Sequence, residues 1–168
     1  MTARRHVVVM GVTATGKTTV GRAVAEALGA VFVEGDTFHP QANIEKMSAG
    51  TPLDDDDRRP WLRALADEIA RIDQTGEVSV TACSALRKVY RDWLREGSSE
   101  LFFVHLDSTF DVLLDRMKRR THFMPPSLLQ SQLDTLEPLQ ADEAGVVVDD
   151  TQPLDAVIAD SVAAVRGD

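Results

Sequence analysis

The sequence has a single cysteine, Cys83, which excludes an intrachain disulfide framework and any multi-cysteine metal site. It has no long apolar run. The strongest stretch extends only from Val7 to Val12, too short to cross a bilayer. Arg4 and Arg5 are not followed by an extended apolar segment, so no secretory signal is expected. Positive charge is also scarce: 18 Lys and Arg stand against 27 Asp and Glu, a net charge of −9. That balance argues against broad nucleic-acid binding, which needs a basic face, but leaves room for a local basic cluster that grips an anion. Together these absences point to a reducing, cytoplasmic setting, with neither nucleic acid nor membrane as a partner. The 168 residues suit one domain with a real core, and with no linker, repeat or low-complexity segment the expectation is a single domain over 1–168.

What the sequence does contain is an alternation of short β-branched runs and helical periodicity. Strands are predicted at 6–10, 31–34, 78–83, 101–106 and 145–148. Between them, Val20, Ala23, Val24, Ala27 and Leu28 form one helical face that stops at Gly29. A short helix is expected over 40–49, and a longer one carries Trp61, Leu62, Leu65, Ile69 and Ile72. Further helices are marked by Leu86, Val89, Tyr90, Trp93 and Leu94, by Phe110, Leu113 and Met117, by 127–136, and by Leu154, Val157, Val162 and Val165. Five strands joined by helices imply βαβ crossovers and a parallel sheet covered on both faces, an α/β fold of three layers. In such sheets ligands bind beyond the carboxyl ends of the strands.

The first strand leads into Gly11-Val12-Thr13-Ala14-Thr15-Gly16-Lys17-Thr18, the GxxxxGK[ST] pattern in its strand–loop–helix setting. Backbone amides of such a loop point at phosphate oxygens, the lysine supplies charge to the outer phosphates, and the Thr18 hydroxyl is placed to ligate Mg²⁺. The alternative is an ordinary glycine-containing turn, which an eight-position pattern in this context disfavours. Thr13, Ala14, Thr15 and Thr19 complete the candidate nucleotide-binding set. No N-K-x-D base-reading motif occurs, so a small-molecule kinase is a better expectation than a GTPase switch. At the end of the second strand, Asp36 is a candidate to accept the proton of an acceptor hydroxyl, or to hold Mg²⁺ through water; a helix-capping aspartate is the alternative.

Several strings carry a family resemblance: Gly35-Asp36-x-x-His39-Pro40 with Asn43, Lys46 and Met47; Asp55-x-Asp57-Arg58-x-Pro60-Trp61-Leu62; and Cys83-Ser84-Ala85-Leu86-Arg87 with Tyr90-Arg91. With His122-Phe123, Ser131-Gln132 and Leu136-Glu137, they resemble gluconokinase, the ATP-dependent kinase of D-gluconate, over roughly Val8 to Pro153. The resemblance implies a nucleoside-monophosphate-kinase-like P-loop fold with a helical lid at about 116–137. It implies ATP and Mg²⁺ as cofactors, D-gluconate as substrate and a homodimer. Carried over, Lys17, Asp36 and Arg120 are the expected catalytic residues. Arg116 and Arg120 are expected over the phosphates, and Asp36, His39, Arg58, Arg87, Tyr90, Arg91 and His122 against the sugar acid. The chemistry agrees, because a guanidinium grips a carboxylate through two parallel hydrogen bonds. On the helical spacing, Arg87 and Arg91 are expected on one face.

Two departures from the family pattern are Ala14, where the loop usually has Gly, and a lid string Arg120-Thr121-His122-Phe123 one residue shorter than R-T-G-H-F. They motivate a nucleotide-binding module without turnover as a rival reading; a shikimate-type kinase is the rival within the class. Asp54–Asp57 reads as a solvated helix start, Cys83 as a buried inert thiol and His6 as structural.

Overall fold

A computed structural model describes residues 5–120 and 125–167. Five strands, β1 (His6–Met10), β2 (Val31–Glu34), β3 (Ser79–Ala82), β4 (Leu101–Asp107) and β5 (Gly145–Asp149), form one sheet in the order β2-β3-β1-β4-β5. Every pairing is parallel. The crossovers are α1 (Lys17–Leu28), α2 (Gln41–Ser48), α3 (Asp55–Gln74), α4 (Lys88–Arg95), α5 (Phe110–Lys118) and α6 (Pro126–Thr135), and α7 (Leu154–Arg166) closes the chain. No helix among the described residues is long and apolar enough to cross a membrane.

The period-2 alternation of β1 divides the core. Val8 and Met10 join a cluster with Trp61, Leu65, Leu94, Leu113 and Leu129, from α3 to α6. Val7 and Val9 pack on the other face with Val20 and Val24 of α1 and Val157 of α7. Both faces of β1 are thereby dry, which explains its unbroken apolar run. Because β1 lies between β3 and β4 while the chain passes first to β2, the connections diverge at its carboxyl end and open a crevice there.

Two local features shape that crevice. α1 begins at Lys17, three residues before the apolar periodicity becomes visible, so Gly16 is its N-cap and Lys17 and Thr18 already lie in its first turn. After β2 the chain makes a 3₁₀ turn, Gly35–Phe38, instead of the irregular stretch its polarity suggests. Only glycine fits at its start, since a Cβ on Gly35 would lie 2.2 Å from the Ala82 carbonyl oxygen. This close approach brings Asp36 up beside the end of β3. The four-carboxylate run caps α3: the Asp54 side chain accepts from the Asp57 amide and the Asp57 side chain from the Asp54 amide.

Candidate active site

The phosphate loop is held from below. The Gly11 amide donates to the Ser84 carbonyl at 3.3 Å, and the Thr15 hydroxyl donates to the Val12 carbonyl at 2.9 Å. Gly11 itself adopts φ 152°, and a Cβ there would meet the Leu106 carbonyl oxygen at 2.8 Å. Ala14 adopts φ 69°. The left-handed conformation costs a non-glycine residue about 1 kcal/mol. Its methyl group is buried in the α3–α6 core cluster, which offsets much of that cost. Lys17 Nζ donates to the Val12 carbonyl at 2.9 Å. Burial lowers its pKa, and the Asp36 carboxylate opposes the shift.

Three cavities meet around this loop. On one side a cavity of about 290 Å³ lies between Thr13 and Lys17, the Asp36–His39 turn, Arg58 and Trp61 of α3, and α6. On the other, a cavity of about 330 Å³ lies among Gly16, Thr19, Arg116, Arg120, Asp150 and Gln152. Between them, a space of about 170 Å³ is bounded by Lys17, Thr18, Glu34, Asp36 and Arg120. The middle space shares Thr13, Lys17 and Asp36 with the first cavity and Gly16 and Arg120 with the second. The loop is therefore the common wall of one path.

The walls of the first cavity are chemically distinct. His39 stacks on Trp61 with ring centroids 4.0 Å apart, and Trp61 Nε1 donates to the Gly35 carbonyl at 2.8 Å. Asn43 Nδ2 donates to the Asp57 carbonyl at 2.8 Å and lies 3.2 Å from His39 Nδ1. That pairing makes Nδ1 an acceptor and leaves the proton on Nε2. Burial lowers the pKa of His39, against the pull of Asp36 and with the push of Arg58, which favours this neutral form. Arg58 is 9% exposed and donates to the Tyr90 hydroxyl at 3.0 Å. Among the described residues it makes no direct ion pair; the Tyr90 hydroxyl that accepts from it donates in turn to Asp55. Its charge is thus available to the cavity.

The other expected acceptor contacts are placed differently. Arg87 is the N-cap of α4 with extended backbone, φ −110° and ψ 150°, so it does not share a helix face with Arg91. It is paired with Asp55 at 2.7 Å and Glu137 at 3.6 Å, beside an adjoining groove that Tyr90 also lines. Arg91 is 0% exposed and belongs to the core: it binds Glu143 through Nε at 2.7 Å and also reaches the Ala85 and Pro138 carbonyls. The reason is that Glu143 lies behind α4, on the chain returning to β5, and draws the guanidinium inward. His122 and the length of the lid string lie outside the described residues.

Beside the second cavity, Arg116 bridges three elements. Its guanidinium donates to the Asp150 carboxylate at 2.7 Å, the Asp150 carbonyl at 2.6 Å and the Ala14 carbonyl at 3.2 Å. Burial raises the pKa of Asp150, while Arg116 acts to lower it. Arg120 makes no ion pair among the described residues and stands against both the second cavity and the middle space. Cys83 is buried, with its thiol pushed up to about 12 by burial, and has no nucleophilic character.

Sequence reasoning passed over Glu34. Its carboxylate accepts the Thr18 hydroxyl, and its place at the end of β2, next to a phosphate loop, was the available signal. Thr18, Glu34 and Asp36 offer hard oxygen donors to the middle space. No group of three or more His, Cys, Asp or Glu suited to a metal occurs among the described residues. Hydroxyl and carboxylate oxygens of this kind suit a hard cation.

Parallel sheet, phosphate loop and flanking pockets define a P-loop kinase, and the sequence model of the shikimate kinase family matches residues 13–164. The chain belongs to that family and, within it, to the gluconokinases. It is 47% identical to the thermoresistant gluconokinase of Escherichia coli over 161 residues, 95% of this chain and 92% of that protein. A gluconokinase structure from Sinorhizobium meliloti superposes with a TM-score of 0.84 at 48% identity, covering 98% of this chain and 90% of the other. A sugar kinase structure from a Janibacter species gives 0.89, also at 48% identity, over 97% and 98%.

Proposed function

We propose that this chain transfers the terminal phosphoryl group of ATP to a hydroxyl of D-gluconate, giving ADP and 6-phospho-D-gluconate. The observation that carries the reading is Arg58: an almost buried guanidinium without a carboxylate partner among the described residues, in the cavity that shares Lys17 and Asp36 with the phosphate site. A polyhydroxy acid supplies the missing carboxylate and hydroxyls for His39 and Asp36. The identity to gluconokinases supports the same acceptor.

Each residue then has a physical task. The loop amides and Lys17 bind the phosphates. Lys17 and Arg120, which both line the middle space, stabilise charge spreading over the phosphoryl oxygens. Asp36 orients the acceptor hydroxyl and accepts its proton. Arg58 holds the sugar-acid carboxylate, and His39 Nε2–H donates to a hydroxyl. Thr18, with Glu34 and Asp36 nearby, would hold Mg²⁺, which when bound neutralises phosphate charge. Arg116, Arg120 and α6, the described parts of the expected lid, help exclude water and so limit ATP hydrolysis.

A coupled ADP-release assay across gluconate, related aldonates, shikimate and nucleoside monophosphates tests the assignment. Gluconate should be the best acceptor, and a best acceptor outside the sugar acids overturns the reading. Arg58→Ala should raise the gluconate KM by about 10- to 100-fold, as expected for loss of a charge-assisted hydrogen bond, and leave the MgATP KM nearly unchanged. Arg87→Ala should matter less, because two carboxylates already neutralise that guanidinium. The reverse order of effects would move the carboxylate site to the adjoining groove.

A further inference from the structure

Gln132, on α6, is engaged by the phosphate loop. The Thr13 amide donates to its Oε1 at 2.7 Å, across 119 positions of sequence. A backbone N–H can only donate, so the facing atom must be the carbonyl oxygen, and the orientation of the amide is settled. The NH₂ end of the same group has no hydrogen-bond partner among the described residues, although Gln132 lines the acceptor cavity. The rotation of α6 is set by packing: Leu129 is fully buried in the core with Leu113 and Leu94. Leu128, Ser131 and Gln132, spaced i, i+3 and i+4, therefore face the cavity together, opposite Asp36, His39 and Arg58.

We propose that Gln132 is a specificity-determining residue of the acceptor site: anchored through Oε1 to the Thr13 amide, it presents its NH₂ group as a donor to one hydroxyl oxygen of the bound sugar acid. This rests on the reading of gluconate as acceptor. The anchor ties the hydroxyl row to the phosphate loop itself, so the contact sets the distance between acceptor and phosphate. A site built to hydrogen-bond a hydroxyl strongly rejects an analogue that lacks it, because the donor is then left unpaired.

The test uses the full chain with two variants. Gln132→Met keeps length and loses both polar ends; Gln132→Glu keeps an acceptor for the Thr13 amide and loses the donor. Both should lower kcat/KM for gluconate by about tenfold or more, with the MgATP KM changed by no more than about threefold. Among gluconates lacking a single hydroxyl, one should be discriminated against by the unsubstituted chain and no longer by Gln132→Met, a coupling that a merely structural role would not produce. Recovery of gluconate kcat/KM in Gln132→Glu, or unaltered discrimination in Gln132→Met, overturns the inference alone. Absence of gluconate-dependent turnover in the unsubstituted chain overturns it together with the functional reading.

Discussion

Lys17→Met is expected to lower kcat for gluconate phosphorylation by about 100- to 1,000-fold, the range seen when one preorganised donor to developing charge is removed. The fold should survive. Among the described residues Lys17 makes a single side-chain hydrogen bond, to the Val12 carbonyl, and that loop is independently held through Gly11 and Thr15. The ammonium stands in the wall shared by the acceptor cavity and the middle space, with Asp36 beside it. Steady-state kinetics with a thermal unfolding control checks the expectation. A variant that retains more than a tenth of its kcat would remove Lys17 from the phosphoryl-transfer step.

The second large effect concerns stability. Glu143 is the centre of a dry network in which its side chain is 1% exposed and that of Arg91 0%. It accepts from Arg91 at 2.7 and 3.0 Å, from Arg95 at 2.6 Å and from the Gln140 amide at 3.0 Å. Through Arg91 the network also holds the Ala85 carbonyl, in a residue whose φ of 46° a side chain rarely tolerates. The end of β3 and the chain leaving α6 are thereby clamped together. Glu143→Ala leaves a buried guanidinium unpaired, which costs roughly 3–5 kcal/mol. For a chain of this size that lowers the unfolding midpoint by roughly 10 °C.

The same pair makes acid stability predictable. Burial would raise the Glu143 pKa, but the hydrogen bonds from Arg91, Arg95 and the Gln140 amide overcome it and lower the pKa from 4.5 to about 2. A depressed carboxyl contributes stability above its unfolded value, and that contribution disappears as pH falls from 4.5 toward 2. Unfolding measured through this window should show a loss in the unsubstituted chain that is smaller in Glu143→Gln. Equal acid dependence in the two would show that Glu143 is not what the low pH titrates.

Much of the fold was legible in the residues because its causes are local. Four consecutive apolar residues, Val7–Met10, read as a strand covered on both faces, and the glycine, lysine and threonine that follow match the dihedral and charge demands of a phosphate loop. Asp54–Asp57 caps its helix by contacts within three residues. Asp36, His39 and Arg58, which the resemblance names, line one cavity. Arg87 and Arg91 show where local reasoning stops. Four positions apart, they suggest a shared face. The distant Glu143 buries one, and Asp55 and Glu137 neutralise the other.

By itself, then, the sequence determined the succession of strands and helices, the phosphate loop and the family, since each rests on spacing within a few residues. Only the tertiary structure decided which arginines meet a carboxylate, that Glu34 meets Thr18, and that Gln132 reaches the Thr13 amide. Those outcomes depend on which charges and hydrogen-bonding groups, dozens of residues apart, meet in a low-dielectric interior. That is a property of packing, and no short window of sequence contains it.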